Sequence, residues 1–142
     1  MSFEKQIDLV KAELELTQRQ MDKYDSLSGQ IKTWTITLSA ALIGWSFQTK
    51  NKEVVLMVIF VVLAFWALDA FNKNFRQDYK KRRDDVAAAL RQYFKTETWP
   101  NNFVSPSLPK HHSSDAFKKI FQPHIFLLYL PLIAIALLIY FI

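Results

Sequence analysis

Residues 125–142, IFLLYLPLIAIALLIYFI, contain no charged side chain. Two more apolar runs lie before this stretch, at residues 33–47 and 54–68. An α-helix rises about 1.5 Å per residue, so roughly 20 apolar residues cross the hydrocarbon layer of a bilayer. The three runs, each 15 to 18 residues long with apolar or aromatic flanks, fit three such crossings. The sequence therefore predicts an all-α membrane protein with three transmembrane helices.

The composition excludes several functional classes. Three crossings take about 50 of the 142 residues, which leaves no room for a large soluble enzyme core. The chain has no cysteine, and this excludes disulfides, thiol catalysis and cysteine zinc sites. Its only glycines, Gly29 and Gly44, cannot form a glycine-rich phosphate loop. We expect no enzyme activity and no cofactor.

Basic residues indicate the orientation in the membrane. Residues 1–32 hold five Lys and Arg, the connection 48–53 holds two, and residues 69–124 hold eleven. Lys and Arg collect on the cytoplasmic side of membrane proteins with short loops. We therefore predict a multi-pass membrane protein with its N-terminus cytoplasmic and its C-terminus outside. The first apolar run begins too late for a cleaved signal peptide, so we interpret it as a permanent anchor.

Residues 1–32 form a predicted cytoplasmic amphipathic helix. Apolar and small residues recur in it at alternating spacings of four and three, which is the pattern of a coiled-coil seam. This seam comprises Phe3, Ile7, Val10, Leu14, Thr17, Met21, Tyr24, Ser28 and Ile31. The spacing continues into the first crossing, residues 33–47, so we expect one helix with a possible hinge only at Gly29.

The second crossing, residues 54–71, is predicted to continue as a cytoplasmic helix over residues 72–95. A second helical stripe marks it, formed by Phe71, Phe75, Tyr79, Arg82, Val86, Leu90 and Tyr93. The two stripes can bury each other if the helices pair antiparallel, and this makes a long helical stalk. Residues 96–124 are predicted to form a proline-containing strap and a short amphipathic helix. The strap is expected to be held to the stalk by Trp99, Phe103 and Val104, and the third crossing covers residues 125–142.

The first crossing has a stripe of small residues. It comprises Thr33, Thr37, Ala40, Ala41 and Gly44, and it lies roughly opposite Thr35, Leu38, Leu42 and Trp45. Small side chains let helices approach closely, and hydroxyls can bond across the interface. The stripe is therefore either an oligomer interface or the lining of a narrow aqueous path. Its continuation through Gln30, Ser26, Lys23 and Arg19 is polar, as a vestibule requires.

Charged and titratable residues give weaker indications. The basic run Lys80, Lys81, Arg82 and Arg83 is a candidate surface for a partner or lipid, or else a solvated helix face. Asp69 is either a proton or ion site or an interfacial carboxylate paired with Lys73. His111 and His112 lie beside Asp115, but a catalytic zinc site needs three well-arranged ligands. We predict no metal site and no nucleic-acid partner.

The order of these segments resembles that of the bacterial SLATT-type two-transmembrane effectors over residues 1–95. The shared features are a mixed-charge N-terminal helix ending in SLSGQ at residues 26–30, a first crossing led by Trp34, a short turn, and a second crossing that continues as a charged helix. The resemblance implies assembly in the inner membrane and permeabilisation when a partner sensor is triggered, in anti-phage defence. We expect this chain to add a third crossing and to lack an appended nucleotide-sensing module.

Two functional hypotheses follow. The first is a homo-oligomeric inner-membrane effector that permeabilises or depolarises the membrane, with the bilayer and a cytosolic sensor protein as partners. The second is a non-conducting membrane anchor or adaptor that recruits a cytosolic sensor or enzyme through its stalk. A lipid-modifying enzyme, which would use Asp69, His111, His112 or His124, requires residues that need not converge.

Overall fold

The computed structural model describes residues 3–109 and 123–141, with side chains described for 5–109 and 127–141. All regular structure in these ranges is helical. The helices are α1, Phe3–Thr49; α2, Glu53–Thr96; and α3, Pro123–Phe141. The all-α prediction is thus confirmed. The predicted short helix over residues 116–121 lies outside the described residues.

Helix α1 is unbroken over 47 residues and includes Gly29, as the seam pattern predicted. It contains no proline, and a single helical glycine costs only about 1 kcal/mol. The helix ends where Lys50 adopts a left-handed φ of 53°. Asn51 then caps α2, since its side-chain oxygen accepts a hydrogen bond from the Glu53 amide at 2.9 Å.

Helix α2 covers 44 residues and ends at Thr96. Glu97 follows with a φ of 53°, and its amide donates to the Tyr93 carbonyl at 2.8 Å. This left-handed cap satisfies one of the last free carbonyls of the helix. Helix α3 begins at Pro123, where a missing amide hydrogen has no cost, and it contains Pro131 in its interior.

The chain divides into two compact units, of which the first comprises the described residues up to Asp25 and from Phe75 to 109. In this unit α1 and α2 pack antiparallel. Val10 packs against Val86 and Leu90, while Tyr24 lies 5.7 Å from Tyr79 between ring centroids. The predicted seam is confirmed here, because Val10, Thr17 and Met21 are buried.

The second unit comprises residues 26–74 and the described part of α3. Valines of α2 form its core with Tyr129 and Ala136 of α3, and side chains of α1 pack against them. The buried members are Val55, Val58, Val62, Tyr129 and Ala136. Phe71, which we predicted on the buried stripe of α2, is exposed in this unit.

Helix α2 is long and apolar enough to cross a membrane, and among the described residues it is the one helix that meets this standard. Its best 18-residue window has a mean hydropathy of 2.7, and only 33% of that window is buried. The described side chains of α3 form a shorter apolar segment, Leu127–Phe141. The predicted crossings in α1 and α3 remain predictions.

Candidate functional site

The predicted small stripe of α1 is exposed along its whole length. Thr33, Thr37, Ala40, Ala41 and Gly44 all lie on the outer surface of the second unit. A Cβ atom placed on Gly44 would meet no other side chain and no other backbone segment within 4 Å. The stripe is therefore a surface that the described part of the chain leaves uncovered.

The two threonine hydroxyls of this stripe bond to their own helix. Thr33 donates to the Gly29 carbonyl at 3.1 Å, and Thr37 donates to the Thr33 carbonyl at 2.9 Å. Each hydroxyl hydrogen is thereby used, while lone pairs of each oxygen remain to accept a bond. The stripe consequently offers small side chains and hydrogen-bond acceptors, without any charge.

The opposite face of α1 is buried, as the two-faced interpretation requires. Thr35, Ser39 and Ser46 are buried, and Leu42 packs against the valine core. Two members of this face, Leu38 and Trp45, are nevertheless 40% and 52% exposed. Small hydroxyl residues occupy the contact instead, and their size lets α1 approach α2 closely.

Asp69 joins all three helices of the second unit. Its carboxylate is fully buried and accepts hydrogen bonds from Ser28 of α1 at 2.6 Å and from Tyr129 of α3 at 3.2 Å. The buried Thr35 hydroxyl donates to the Ile31 carbonyl of its own helix at 2.7 Å. The predicted interfacial pairing with Lys73 was wrong, since Asp69 is buried and its oxygens accept from hydroxyls.

These partners of Asp69 were missed by sequence reasoning. Ser28 lies on the predicted seam, so its position indicated a contact with another helix but not the partner residue. Tyr129 gave no signal, because it is one aromatic residue in an apolar run and lies 60 residues from Asp69. The arrangement can hold a carboxylate among hydroxyls and fix the relative positions of three helices.

The basic run of the first unit is divided between internal and external positions. Lys80 and Lys81 are exposed. Arg83 bonds to Asp84 at 2.7 Å and to Gln18 at 3.2 Å. Arg82 is mostly buried and engaged within its own unit. A partner or lipid surface at this run therefore has Lys80 and Lys81 as its available cations.

Arg82 belongs to an ion pair with Glu13 that sequence reasoning did not predict. The two side chains are 14% and 4% exposed and meet at 2.7 Å. Arg82 also donates to the Val104 carbonyl at 2.6 Å, and its guanidinium lies 5.6 Å from the centroid of the Phe103 ring. The helical spacing places Arg82 on the stripe of α2 that faces α1, and a buried arginine requires an acid.

Glu13 holds the strap, residues 97–109, against α1. Its carboxylate accepts hydrogen bonds from the Ser105 hydroxyl and from the Ser107 amide, the latter at 3.1 Å. We name this set of contacts to Glu13 and Arg82 the clasp. Burial raises the pKa of the Glu13 carboxyl, but the bonds from Arg82, Ser105 and Ser107 outweigh it and hold the pKa below its ordinary value.

Aromatic stacking secures the same strap. Trp99 stacks on Tyr93 at 4.6 Å and on Phe103 at 5.4 Å between ring centroids. The predicted roles of Trp99 and Phe103 are confirmed. The prediction for Val104 was wrong, because its side chain is 65% exposed and only its carbonyl takes part.

Histidines and metal ligands add nothing to this picture. His111, His112 and Asp115 lie outside the described residues. In the described part of the chain, no three His, Cys, Asp or Glu side chains are close enough together to hold a metal ion.

No protein-family model matches this sequence, and neither a curated protein nor a solved structure matches it. The SLATT resemblance stays a prediction based on the order of segments. In its described residues the chain is an all-α protein, and one of its helices is long and apolar enough to span a membrane.

Proposed function

We propose that this protein is a homo-oligomeric effector of the bacterial inner membrane that permeabilises or depolarises the membrane when triggered, in anti-phage defence. The observation that supports it most directly is the two-sided α1. One face of this helix is buried on α2 and α3, while the small stripe on its other face is exposed. A second copy of the chain is the occupant that suits a repeated interface of this kind.

The outer surface of the second unit supports the membrane setting. Large apolar side chains are exposed on each of its helices, for example Trp34 at 60%, Phe60 at 75% and Leu138 at 61%. Soluble monomers rarely expose contiguous apolar surface on this scale. We propose that all three helices cross the bilayer, with the N-terminus in the cytoplasm and the turn at residues 50–52 outside.

In this proposal the stripe lines or seals a narrow path between subunits. Thr33 and Thr37 present oxygen lone pairs, and Ala40 and Gly44 let neighbouring helices approach. An uncharged hydroxyl lining provides little charge selection, which suits depolarisation more than transport of one ion. The first unit, as a cytoplasmic stalk, would receive the trigger from a sensor protein.

The adaptor hypothesis has one feature in its favour. The first unit has a largely apolar groove of about 370 Å³ between α1 and the strap. Leu9, Leu16 and Leu108 line it and are exposed. A partner helix could lay an apolar face there without any conduction by the membrane helices.

The test is a double substitution, Ala40→Leu with Gly44→Leu, in cells that produce the protein together with its genomic neighbours. Both positions are exposed in the single chain and Gly44 has open space, so the added side chains fit the folded subunit. We expect intersubunit crosslinking and depolarisation to be lost together. Membrane potential is followed with a voltage-sensitive dye, and larger leaks with propidium uptake.

Ala64→Leu is the matched control, because Ala64 is exposed on α2 within the apolar segment and lies off the stripe. It should leave crosslinking and depolarisation unchanged. Depolarisation that persists in the double variant would refute the role of the stripe. An intact membrane potential in the triggered wild-type protein, together with capture of a cytosolic partner, would favour the adaptor.

A further inference from the structure

A groove lies at the end of the second unit where the α1–α2 turn meets the last turns of α3. It has a volume of about 380 Å³. One part of its lining is apolar and the other is polar and basic. The lining residues are Phe47, Val55 and Ile139 on the apolar part, and Ser46, Lys50 and Lys52 on the polar part.

The turn beside this groove is held by its own hydrogen bonds. The Ser46 hydroxyl donates to the Asn51 carbonyl at 3.0 Å, and the Asn51 side chain caps α2. Lys50 adopts its left-handed conformation within this short connection. The backbone of the turn is therefore fixed, and the lysine side chains extend from a defined position.

Lys50 and Lys52 supply positive charge at the groove. Both are exposed, and within the described part of the chain neither pairs with a carboxylate. Glu53 is the single acid between residues 26 and 68, so one positive charge remains in excess at the turn. An ammonium pair beside an apolar trough complements a molecule with a singly negative head and an apolar chain.

We propose that this groove binds one anionic glycerophospholipid. Its phosphate lies at Lys50 and Lys52, and the first part of an acyl chain lies against Phe47, Val55 and Ile139. This inference rests on the proposed membrane placement of the second unit. A bound lipid here contacts both the turn and α3. It would therefore stabilise the end of the three-helix unit that contains the α1–α2 turn.

The experiment is native mass spectrometry of the full chain in detergent with phosphatidylglycerol or phosphatidylcholine of identical acyl chains. We expect one tightly held phosphatidylglycerol per chain and a preference for it over phosphatidylcholine. The Lys50→Gln, Lys52→Gln double variant should lose about 30-fold in phosphatidylglycerol affinity, roughly fivefold per lysine. Ile139→Trp, which fills the trough and keeps both charges, should weaken both lipids.

Lys80→Gln with Lys81→Gln is the matched control, since it removes two exposed lysines from the first unit. It should leave the lipid preference unchanged. Equal binding of both lipids, or an equal loss in the control variant, would overturn the site and indicate only a lipid annulus. Carbonate extraction of cell membranes tests the placement separately: a protein that is released refutes the membrane proposal, whereas a retained protein without lipid preference refutes this site alone.

Discussion

Replacing Glu13 with glutamine tests whether the clasp holds the strap. The substitution keeps the shape of the side chain and removes its charge. Arg82 is then left mostly buried without its carboxylate, with the Val104 carbonyl and the Phe103 ring as remaining partners. The strap also loses the negatively charged carboxylate that accepts hydrogen bonds from Ser105 and Ser107.

The size of the effect follows from the burial of the pair. Breaking a buried ion pair by removing one charge costs about 3–5 kcal/mol. Arg82 retains two contacts, and the glutamine oxygen can still accept one hydrogen bond, so we expect about 2–3 kcal/mol. If strap opening governs amide exchange, this loss speeds the exchange roughly 30- to 150-fold.

The assay is hydrogen exchange at single-residue resolution on the full chain. The Ser107 amide donates to Glu13 and should exchange faster in the variant. The Phe103 amide donates to the Pro100 carbonyl at 3.1 Å within the strap itself, so its exchange should change less. Glu15→Gln is the matched control, because Glu15 is 68% exposed in its pair with Arg19. Ser107 exchange within twofold of wild type in the Glu13 variant would refute the clasp.

Three further predictions concern pH, the helix junction and a helix end. The pKa of Glu13 is lower in the folded protein than its ordinary value near 4.5. Its contribution to stability is therefore present above pH 4.5 and is lost as the pH falls through the lowered pKa. The difference in unfolding free energy between wild type and Glu13→Gln, measured in urea titrations, should shrink on acidification below pH 4.5. Asp69→Ala should destabilise the protein by about 1–3 kcal/mol in thermal unfolding, because the Ser28 and Tyr129 hydroxyls lose their acceptor. Tyr129→Phe should destabilise it by about 1 kcal/mol, because one hydrogen bond to Asp69 is removed. Wild-type stability in both variants would contradict the role of Asp69 in joining the three helices. Glu97→Gly should raise stability by about 1 kcal/mol, since glycine adopts a φ of 53° without strain, and Glu97→Ala should bring no such gain.

Periodicity and helix-breaking residues predicted the two long helices. The alternating spacing from Phe3 onward and the absence of proline before Pro100 indicated two long helices, and both are present. The antiparallel packing in the first unit followed from two apolar stripes that needed cover. These features depend on neighbouring residues along one helix, and such residues are visible in a sequence.

Contacts between distant residues were not predictable in the same way. Tyr129 reaches Asp69 across 60 positions, and no local pattern marks one tyrosine in an apolar run. The Glu13–Arg82 contact was partly indicated by the sequence. Glu13 is next to the seam residue Leu14, and Arg82 lies on the facing stripe of α2. A buried arginine opposite a seam-side acid is a pattern that could have predicted the clasp.

The spacing alone did not show which residues of the second face of α1 are buried. Leu38 and Trp45 continue the spacing of the seam into the first predicted crossing, together with Thr35 and Leu42. Leu38 and Trp45 are exposed, whereas Thr35 and Ser39 are buried. If α1 lies in the bilayer as proposed, the surrounding lipid is as apolar as leucine, so close packing of small residues decides which face lies inside.

The surfaces of the two units differ more than their interiors, and this contrast bears on the setting of each unit. In the first unit Val10 and Met21 lie inside together with the Glu13–Arg82 pair, and charged residues such as Glu15 lie outside. In the second unit Val58 lies inside together with Ser39 and Asp69, and large apolar residues such as Phe60 lie outside. Water favours a charged surface, whereas an exposed phenylalanine has no cost in lipid. The proposal of a water-exposed first unit and a membrane-embedded second unit rests on this contrast, and it leaves the exposed stripe of α1 where a second copy can meet it.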